Sequence, residues 1–383
     1  MRILHTADWH LGKQLHHVSL INDQAIVLDQ LHRVLKEYEI ECLIISGDIF
    51  DRSVPSSEAV ELFDETLSRL AFDYAKPVII ISGNHDSPPR LAFGSKLFSK
   101  LSLHVVTSID YMSNLINLSD SYGMISVIAL PFIEEALSKD ISNTLDKPFS
   151  YEETIQELLR KLSSKIPAKS RTIVAAHAFI QGSIESESER PVSLGGTTAC
   201  SAHIFEDFSY TALGHLHRAQ SVQKSHIRYA GSILKYSSSE IPYKKTFSLV
   251  DIDASGKPII EEIPIQPKRD FRELRGLFTD LCRKDFDNGD HDDYFSIIID
   301  DQGPILDAMP RLQEIYPNVL EIHREAIDSI RHYSVVTKEF LKQDETSLFK
   351  NFALQCAGLK LNEMQLDILK QALATTLSRK EED

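Results

Sequence analysis

Little in this chain of 383 residues can serve as a covalent or membrane anchor. Its four cysteines, Cys42, Cys200, Cys282 and Cys356, fit neither a disulfide framework nor a thiolate metal site, so reduced thiols without a chemical role are expected. Long apolar runs are lacking: stretches such as 77–81 and 297–299 fall far short of the ~20 residues that span a bilayer. The beginning shows no charged n-region, apolar core and small-residue cleavage site, and a cytoplasmic protein is expected. Internal repeats and low-complexity tracts are absent. Basic excess is missing as well, and the formal charge of −15 argues at first sight against a polyanionic substrate. Its distribution removes the objection. Residues 251–310 hold 15 acidic and 7 basic side chains and residues 311–383 hold 12 and 10, so the first 250 residues carry only −5.

What is present is one event repeated five times: a short apolar run that stops at polar, ligand-type residues. Ile3 and Leu4 have strand character and lead to Asp8-Trp9-His10. The run 43–46 ends in Gly47-Asp48-Ile49-Phe50-Asp51, after a helical pattern containing Ile26, Leu31, Val34 and Leu35. The run 77–82 empties into Gly83-Asn84-His85-Asp86, after a helical segment at 57–70 that begins with Ser56, Ser57 and Glu58. The run 172–176 ends at His177, and 210–213 ends at Gly214-His215-Leu216-His217. Helix, strand, then ligand is a βαβ rhythm, and the carboxyl ends of strands are where open α/β sheets gather ligands. Single histidines are mostly structural, which is the expectation for His5, His32, His104, His203, His226, His291, His323 and His332, while His16 and His17 read as exposed loop residues.

Asp8, His10, Asp48, Asn84, His177, His215 and His217 supply seven nitrogen and oxygen donors and no thiolate. That set suits Mn²⁺, Fe²⁺ or Zn²⁺ better than a structural cysteine site. Seven donors exceed the needs of one four-coordinate ion and suit two ions sharing a carboxylate, an arrangement that can activate a water and clamp a phosphoryl group. Two aspartates against two dications leave the site positive, which reconciles it with the acidic chain.

The order of these motifs resembles the calcineurin-like metallophosphoesterase superfamily. Longer segments resemble its branch of DNA-break-repair nucleases: TADWHLGK at 6–13, GNHDSPPRL at 83–91, HAFIQGSIESESER at 177–190, GGT at 195–197, YTALGHLHRAQ at 210–220 and IRYAGSILKYSSSE at 227–240. The resemblance implies an α/β fold, a metallophosphoesterase β-sandwich flanked by helices, with a small α/β capping domain and C-terminal helices. It implies that one metal takes Asp8, His10 and His217, that the other takes Asn84, His177 and His215, and that Asp48 bridges them. Mn²⁺ is the expected ion, with Mg²⁺, Fe²⁺ and Zn²⁺ as alternatives. His85 is similar to the branch's catalytic histidine, which does not bind metal, and an imidazole one residue after a ligand can face the scissile phosphate and protonate the leaving oxygen. Asp86 reads as a partner to the ligands or a loop brace. Asp51 falls where some archaeal relatives carry a further catalytic histidine, and no proton-transfer role is assigned to it. Lys13, Arg90 and Arg218 are candidate DNA contacts.

The implied activity is two-metal DNA hydrolysis: exonuclease on duplex ends and endonuclease on single strands and hairpins, in repair, recombination and replication, near the nucleoid. The implied partner is an SMC-like coiled-coil ATPase, with a homodimer of this chain inside a heterotetramer. A stand-alone phosphatase or cyclic phosphodiesterase, and a non-catalytic scaffold for an ATPase, are the alternatives. The nuclease domain is expected over 1–265, ending near Pro264, Pro267 and the charged 268–270. A capping domain is expected over 266–335, with a helix at 272–284, a strand at 294–300, a helix at about 304–315 and a strand at 319–323. A tail at 336–383 is expected to bind the ATPase. In it Leu348, Phe349, Phe352 and Cys356 form one apolar stripe ended by Gly358. Asn362 and Gln365 read as a capping box before a second stripe of Met364, Ile368, Leu369, Ala372, Leu373 and Leu377.

Overall fold

A computed structural model describes residues 1–109, 114–134, 150–168, 170–189, 199–303, 305–324, 346–350 and 361–380. Two compact units emerge, Met1–Phe271 and Arg272–Asp383.

In the first unit, apolar runs buried on both faces become parallel strands, the usual fate of such runs in α/β folds. One sheet contains β1 (Arg2–Thr6), β2 (Cys42–Ser46), β3 (Val78–Ile81) and β4 (Leu103–Val106) in parallel succession. The helices α1 (Ile21–Glu37) and α2 (Ser57–Arg69) connect the first three of these strands. A second sheet contains β5 (Leu115–Asp120), β6 (Gly123–Leu130), β7 (Arg171–His177) and β8 (Tyr210–Gly214), with α3 (Tyr151–Ser163) between β6 and β7. The strands β9 (Gln220–Val222) and β10 (Lys224–Tyr229) follow, and β6, β7, β8 and β10 run parallel. The chain then returns to the first sheet, where β11 (Thr246–Ile252) lies antiparallel to β1 and carries β12 (Pro258–Pro264) on its outer edge. Each sheet thus has six strands, in the orders β12-β11-β1-β2-β3-β4 and β9-β10-β8-β7-β6-β5.

The two sheets face each other. Ile3, Ile44, Ile79 and Val250 from the first pack with Val127, Ala129, Ile173 and Ala212 from the second in one buried cluster. Alternate residues Leu4, Leu43, Ile45 and Ile80 point the other way and are buried too. Helix α1 buries Val27, Leu28, Leu31, Val34 and Leu35, while Ile26 is only partly buried. The outer face of the second sheet is closed by Ile155, Leu158, Leu159 and Leu162 of α3 against Ile128, Val174 and Leu213. The starts of α2 and α3 are capped by side chains: Ser56 Oγ accepts from Ala59 N–H, and Ser150 forms a reciprocal capping box with Glu153.

The second unit contains a three-stranded sheet of β13 (Phe271–Gly276), β14 (Tyr294–Ile299) and β15 (Val319–His323), in that order, with the short helices α4 (Phe278–Leu281) and α5 (Ala308–Gln313). The helix expected at 272–284 is therefore mostly a strand followed by one helical turn. Apolar residues at Phe271, Leu274, Phe278 and Leu281 mimic helical spacing. Hydrogen bonding beside β14, with Arg272 held by Asp287 and Asp293, overrides that pattern. The helix expected to begin near residue 304 starts at Ala308, and β15 covers the expected residues.

Farther along, residues 346–350 are helical and α6 spans Glu363–Lys380. The capping box forms: Asn362 N–H donates to Gln365 Oε1 at 3.0 Å, and Gln365 N–H donates to Asn362 Oδ1 at 2.9 Å. Met364 and Ile368 are 76% and 60% exposed. Residues 138–149, 190, 195–197, 325–345, 352, 356 and 358, and the side chains of Ala372, Leu373 and Leu377, lie outside the described residues. Among the described residues no helix is long and apolar enough to cross a membrane.

Candidate metal centre

Because β1, β2, β3, β7 and β8 share their sheets in parallel, their carboxyl ends meet at one edge of the sandwich. Small residues make the approach close. An added Cβ on Gly214 would lie 1.9 Å from the Ser46 carbonyl oxygen, and one on Gly83 would lie 2.1 Å from Asp48 Oδ1. The first obstacle is backbone and cannot swing away. Gly214→Ala should therefore destabilise the fold by about 1–3 kcal/mol or more, measured as a lower midpoint in urea unfolding. A wild-type midpoint would refute this packing.

All seven predicted donors arrive at this edge, and all but half-buried Asn84 are buried. His10 Nε2 lies 3.0 Å from His217 Nε2, and Asn84 Oδ1 lies 2.9 Å from His177 Nε2 and 3.1 Å from His215 Nδ1. Between these groups Asp48 Oδ2 is 3.7 Å from His10 Nε2 and 3.5 Å from His177 Nε2. Asp8 accepts the His215 backbone N–H and forms a close cluster with Asp48 and His177. The backbone is distorted to achieve this. Asp8, His10 and Asp48 have φ of 52°, 45° and 50°, and His215 has 109°, in regions that residues other than glycine seldom occupy.

Electrostatics bear on whether this donor set fits cations. His177 Nδ1 lies 2.8 Å from the Ser46 carbonyl oxygen, which can only accept, so the ring proton is on Nδ1 and Nε2 is a bare lone pair. That lone pair faces the oxygens of Asn84 and Asp48. Burial pushes the imidazoles of His10, His177 and His215 below their ordinary range and keeps them neutral. Burial, reinforced by Asp48, pushes the Asp8 carboxyl well up. Neutral imidazoles, an amide oxygen and two crowded carboxylates turned toward one another form a cluster of electron-pair donors, which divalent cations would relieve. The residues fit the metals expected.

His85 stands beside this cluster, its ring centroid 4.6 Å from that of His10. Its backbone N–H donates to Asp48 Oδ1 at 2.8 Å, and its Nδ1 donates to the Asp51 carbonyl oxygen at 2.7 Å, which leaves Nε2 as the free ring position. Asp86 is a loop brace. It accepts from the backbone N–H groups of Gly83, Ile49 and Phe50, and burial beside Asp48 raises its pKa to about 7. The Asp51 carboxylate is buried, 2.9 Å from Lys13 Nζ and 3.8 Å from His10 Nδ1, so the charge of Lys13 is engaged. Arg218 stacks on Tyr243 at 4.1 Å, while Arg90 is exposed. His5 is structural, bonded to Tyr210 and Ser46, and His16 and His17 are exposed.

Several contributors escape a reading of the sequence. Gln24 Nε2 donates to the Trp9 and His10 carbonyls, and the Tyr236 hydroxyl also reaches Trp9, which braces the strained first motif. Glu240 and Lys245, a buried pair, lie against His217. Only the resemblance of the segment 227–240 points toward Tyr236 and Glu240.

The calcineurin-like phosphoesterase family matches residues 1–219, and the type 5 capsule protein repressor C-terminal domain matches residues 267–355. The chain is 34% identical to the SbcD component of nuclease SbcCD from Staphylococcus epidermidis, with 99% of this chain and 100% of that protein covered. The chain belongs to the SbcD family. The corresponding protein of Staphylococcus saprophyticus is 30% identical, with coverage of 98% and 99%. Among solved structures, a dimetal phosphatase from Danio rerio is 13% identical with a TM-score of 0.41, over 70% of this chain and 99% of that one. Within the SbcD family, the α/β metallophosphoesterase sandwich expected from the sequence is the observed architecture of the first unit.

Proposed function

We propose that this SbcD-family chain is the nuclease subunit of an SbcC-type ATPase complex and hydrolyses DNA phosphodiesters with two divalent metal ions. The observation that carries the reading is the convergence of Asp8, His10, Asp48, Asn84, His177, His215 and His217, with His85 beside them, on one buried edge. Asp8, His10 and His217 would hold one ion, Asn84, His177 and His215 the other, and Asp48 both; Mn²⁺ is the favoured metal. Such ions, when bound, activate water and withdraw charge from the phosphate oxygens. His85 then does the work of the chain itself. With Nδ1 fixed on the Asp51 carbonyl, it presents Nε2 to hydrogen-bond the scissile phosphate and protonate the leaving oxygen. Asp86 holds the two loops that carry Asp48 and His85, and Arg90 and Arg218 are placed to contact phosphates without reading sequence.

DNA as substrate is consistent with a cytoplasmic, nucleoid-associated chain. The residues 1–265 would be the nuclease domain, 266–335 the domain that limits access of DNA, and 336–383 the segment that docks on the coiled-coil base of the ATPase. Exposed Met364 and Ile368 on α6 support the docking role, since an apolar stripe facing water favours a partner. A homodimer within a heterotetramer is the proposed assembly.

The test is cleavage of linear duplex, hairpin and single-stranded DNA in Mn²⁺, with and without the ATPase and ATP, beside a small phosphate monoester as control. Manganese-dependent DNA cleavage that stops on chelation is expected; turnover of the monoester alone would refute a nuclease. Truncation before Glu345 should leave single-strand cleavage intact and abolish co-purification of the ATPase. A truncated chain that still retains the ATPase would remove the tail from the interface.

A further inference from the structure

A buried chain of hydrogen bonds runs behind the His217 ring. Glu240 is 0% exposed and Lys245 is 8% exposed. The Lys245 ammonium donates to Glu240 Oε2, to Ser232 Oγ at 2.7 Å and to the His217 carbonyl oxygen at 2.7 Å, which uses its three protons. One oxygen of Glu240 is thus bonded to a buried ammonium, the arrangement of a carboxylate–ammonium pair. Glu240 Oε1 accepts from the Tyr236 backbone N–H at 3.1 Å and meets Ser188 Oγ at 2.5 Å.

The direction of every bond in this chain follows. Glu240 Oε2 faces the Lys245 ammonium and Oε1 faces the Tyr236 backbone N–H, so both oxygens accept and the Ser188 proton points at Glu240. Ser188 Oγ therefore offers lone pairs alone to His217 Nδ1, which is 2.6 Å away. His217 must carry its proton on Nδ1, and its Nε2, 3.0 Å from His10 Nε2, is a bare lone pair turned into the donor cluster. Glu189 Oε1 adds a fixed point by accepting the His217 backbone N–H at 2.6 Å. A buried ion pair is by itself weak evidence of a stabilising role. Here Glu240 Oε1 lies 3.4 Å from His217 Nδ1, and the Ser188 hydroxyl, at 2.6 Å, is the nearer acceptor for that ring nitrogen.

The geometry points to Ser188 and Glu240 as positioning residues that lock the tautomer and ring orientation of His217, with Lys245 anchoring Glu240 through its other oxygen. The inference deepens the proposed function and rests on reading His217 as a metal ligand. A ligating imidazole needs its distal N–H held by an acceptor, and loss of such an acceptor commonly costs ~10–100-fold in metal affinity.

The experiment uses full-length, metal-free protein with ¹⁵N-labelled histidine. In long-range ¹H–¹⁵N spectra, His217 is identified as the signal missing from His217→Gln. Wild type should show the Nδ1–H tautomer. Ser188→Ala should move it toward Nε2–H or a mixture, and Ser188→Thr, which keeps the hydroxyl, should restore it. Glu240→Gln can donate to Ser188, reverse its hydroxyl and give a mixture. Calorimetric titration with Mn²⁺ should show a ~10–100-fold weaker site in Ser188→Ala and a wild-type site in Ser188→Thr. An Nε2–H tautomer in wild type overturns the inference, as does a Ser188→Ala protein with unchanged tautomer and affinity. If wild type shows Nδ1–H that depends on Ser188 but takes up no Mn²⁺, the metallonuclease reading fails while the tautomer lock stands.

Discussion

Asp48→Asn should leave a folded protein that binds at most one Mn²⁺ and has lost nearly all DNA cleavage. Asp48 Oδ2 lies within 3.7 Å of both His10 and His177, so it is the oxygen best placed to serve two ions, and its other oxygen holds the His85 backbone N–H. Asparagine keeps the shape, removes the charge and turns one oxygen into a donor. Forfeiting about 4 kcal/mol of charge stabilisation corresponds to roughly a 10³-fold lower rate. Metal content by mass spectrometry and single-turnover cleavage measure the two effects. Two ions retained by the variant would remove Asp48 from the bridging position.

His85→Ala separates chemistry from metal binding. Its ring reaches the Asp51 carbonyl and lies against His10, but its backbone N–H, which survives the substitution, is what touches Asp48. Two Mn²⁺ ions should bind as in wild type while cleavage falls by about 10²–10⁴, the usual contribution of a positioned general acid. Loss of both metals along with activity would make His85 a ligand instead.

Much of this site can be read from the sequence because the donors sit where apolar runs stop. β2 and β3 are buried on both faces, so their sequences CLIIS and VIII announce strands, and the parallel βαβ rhythm then puts their ends together. The second unit is less transparent. In β13 the buried residues Phe271 and Leu274 are three apart, a helical interval, and only pairing with β14 decides for a strand. Glu240 and Lys245 are hidden for a different reason. They stand in the polar run SSSEIPYKK, which is indistinguishable from a solvated loop until the fold buries it behind His217. Gln24 resembles any polar residue near the start of a helix, yet its amide holds the first motif in place.

The left-handed backbone at Asp8, His10 and Asp48, and the still rarer φ of His215, make the site a store of conformational energy. Each such residue costs of order 1–3 kcal/mol, and glycine at the same position would be nearly free of that cost. Selection for robustness and selection for chemistry thus pull in opposite directions at the same four positions. A lineage released from the need to cut phosphodiesters would gain stability by drifting toward glycine at them, and the fold would outlast its metals.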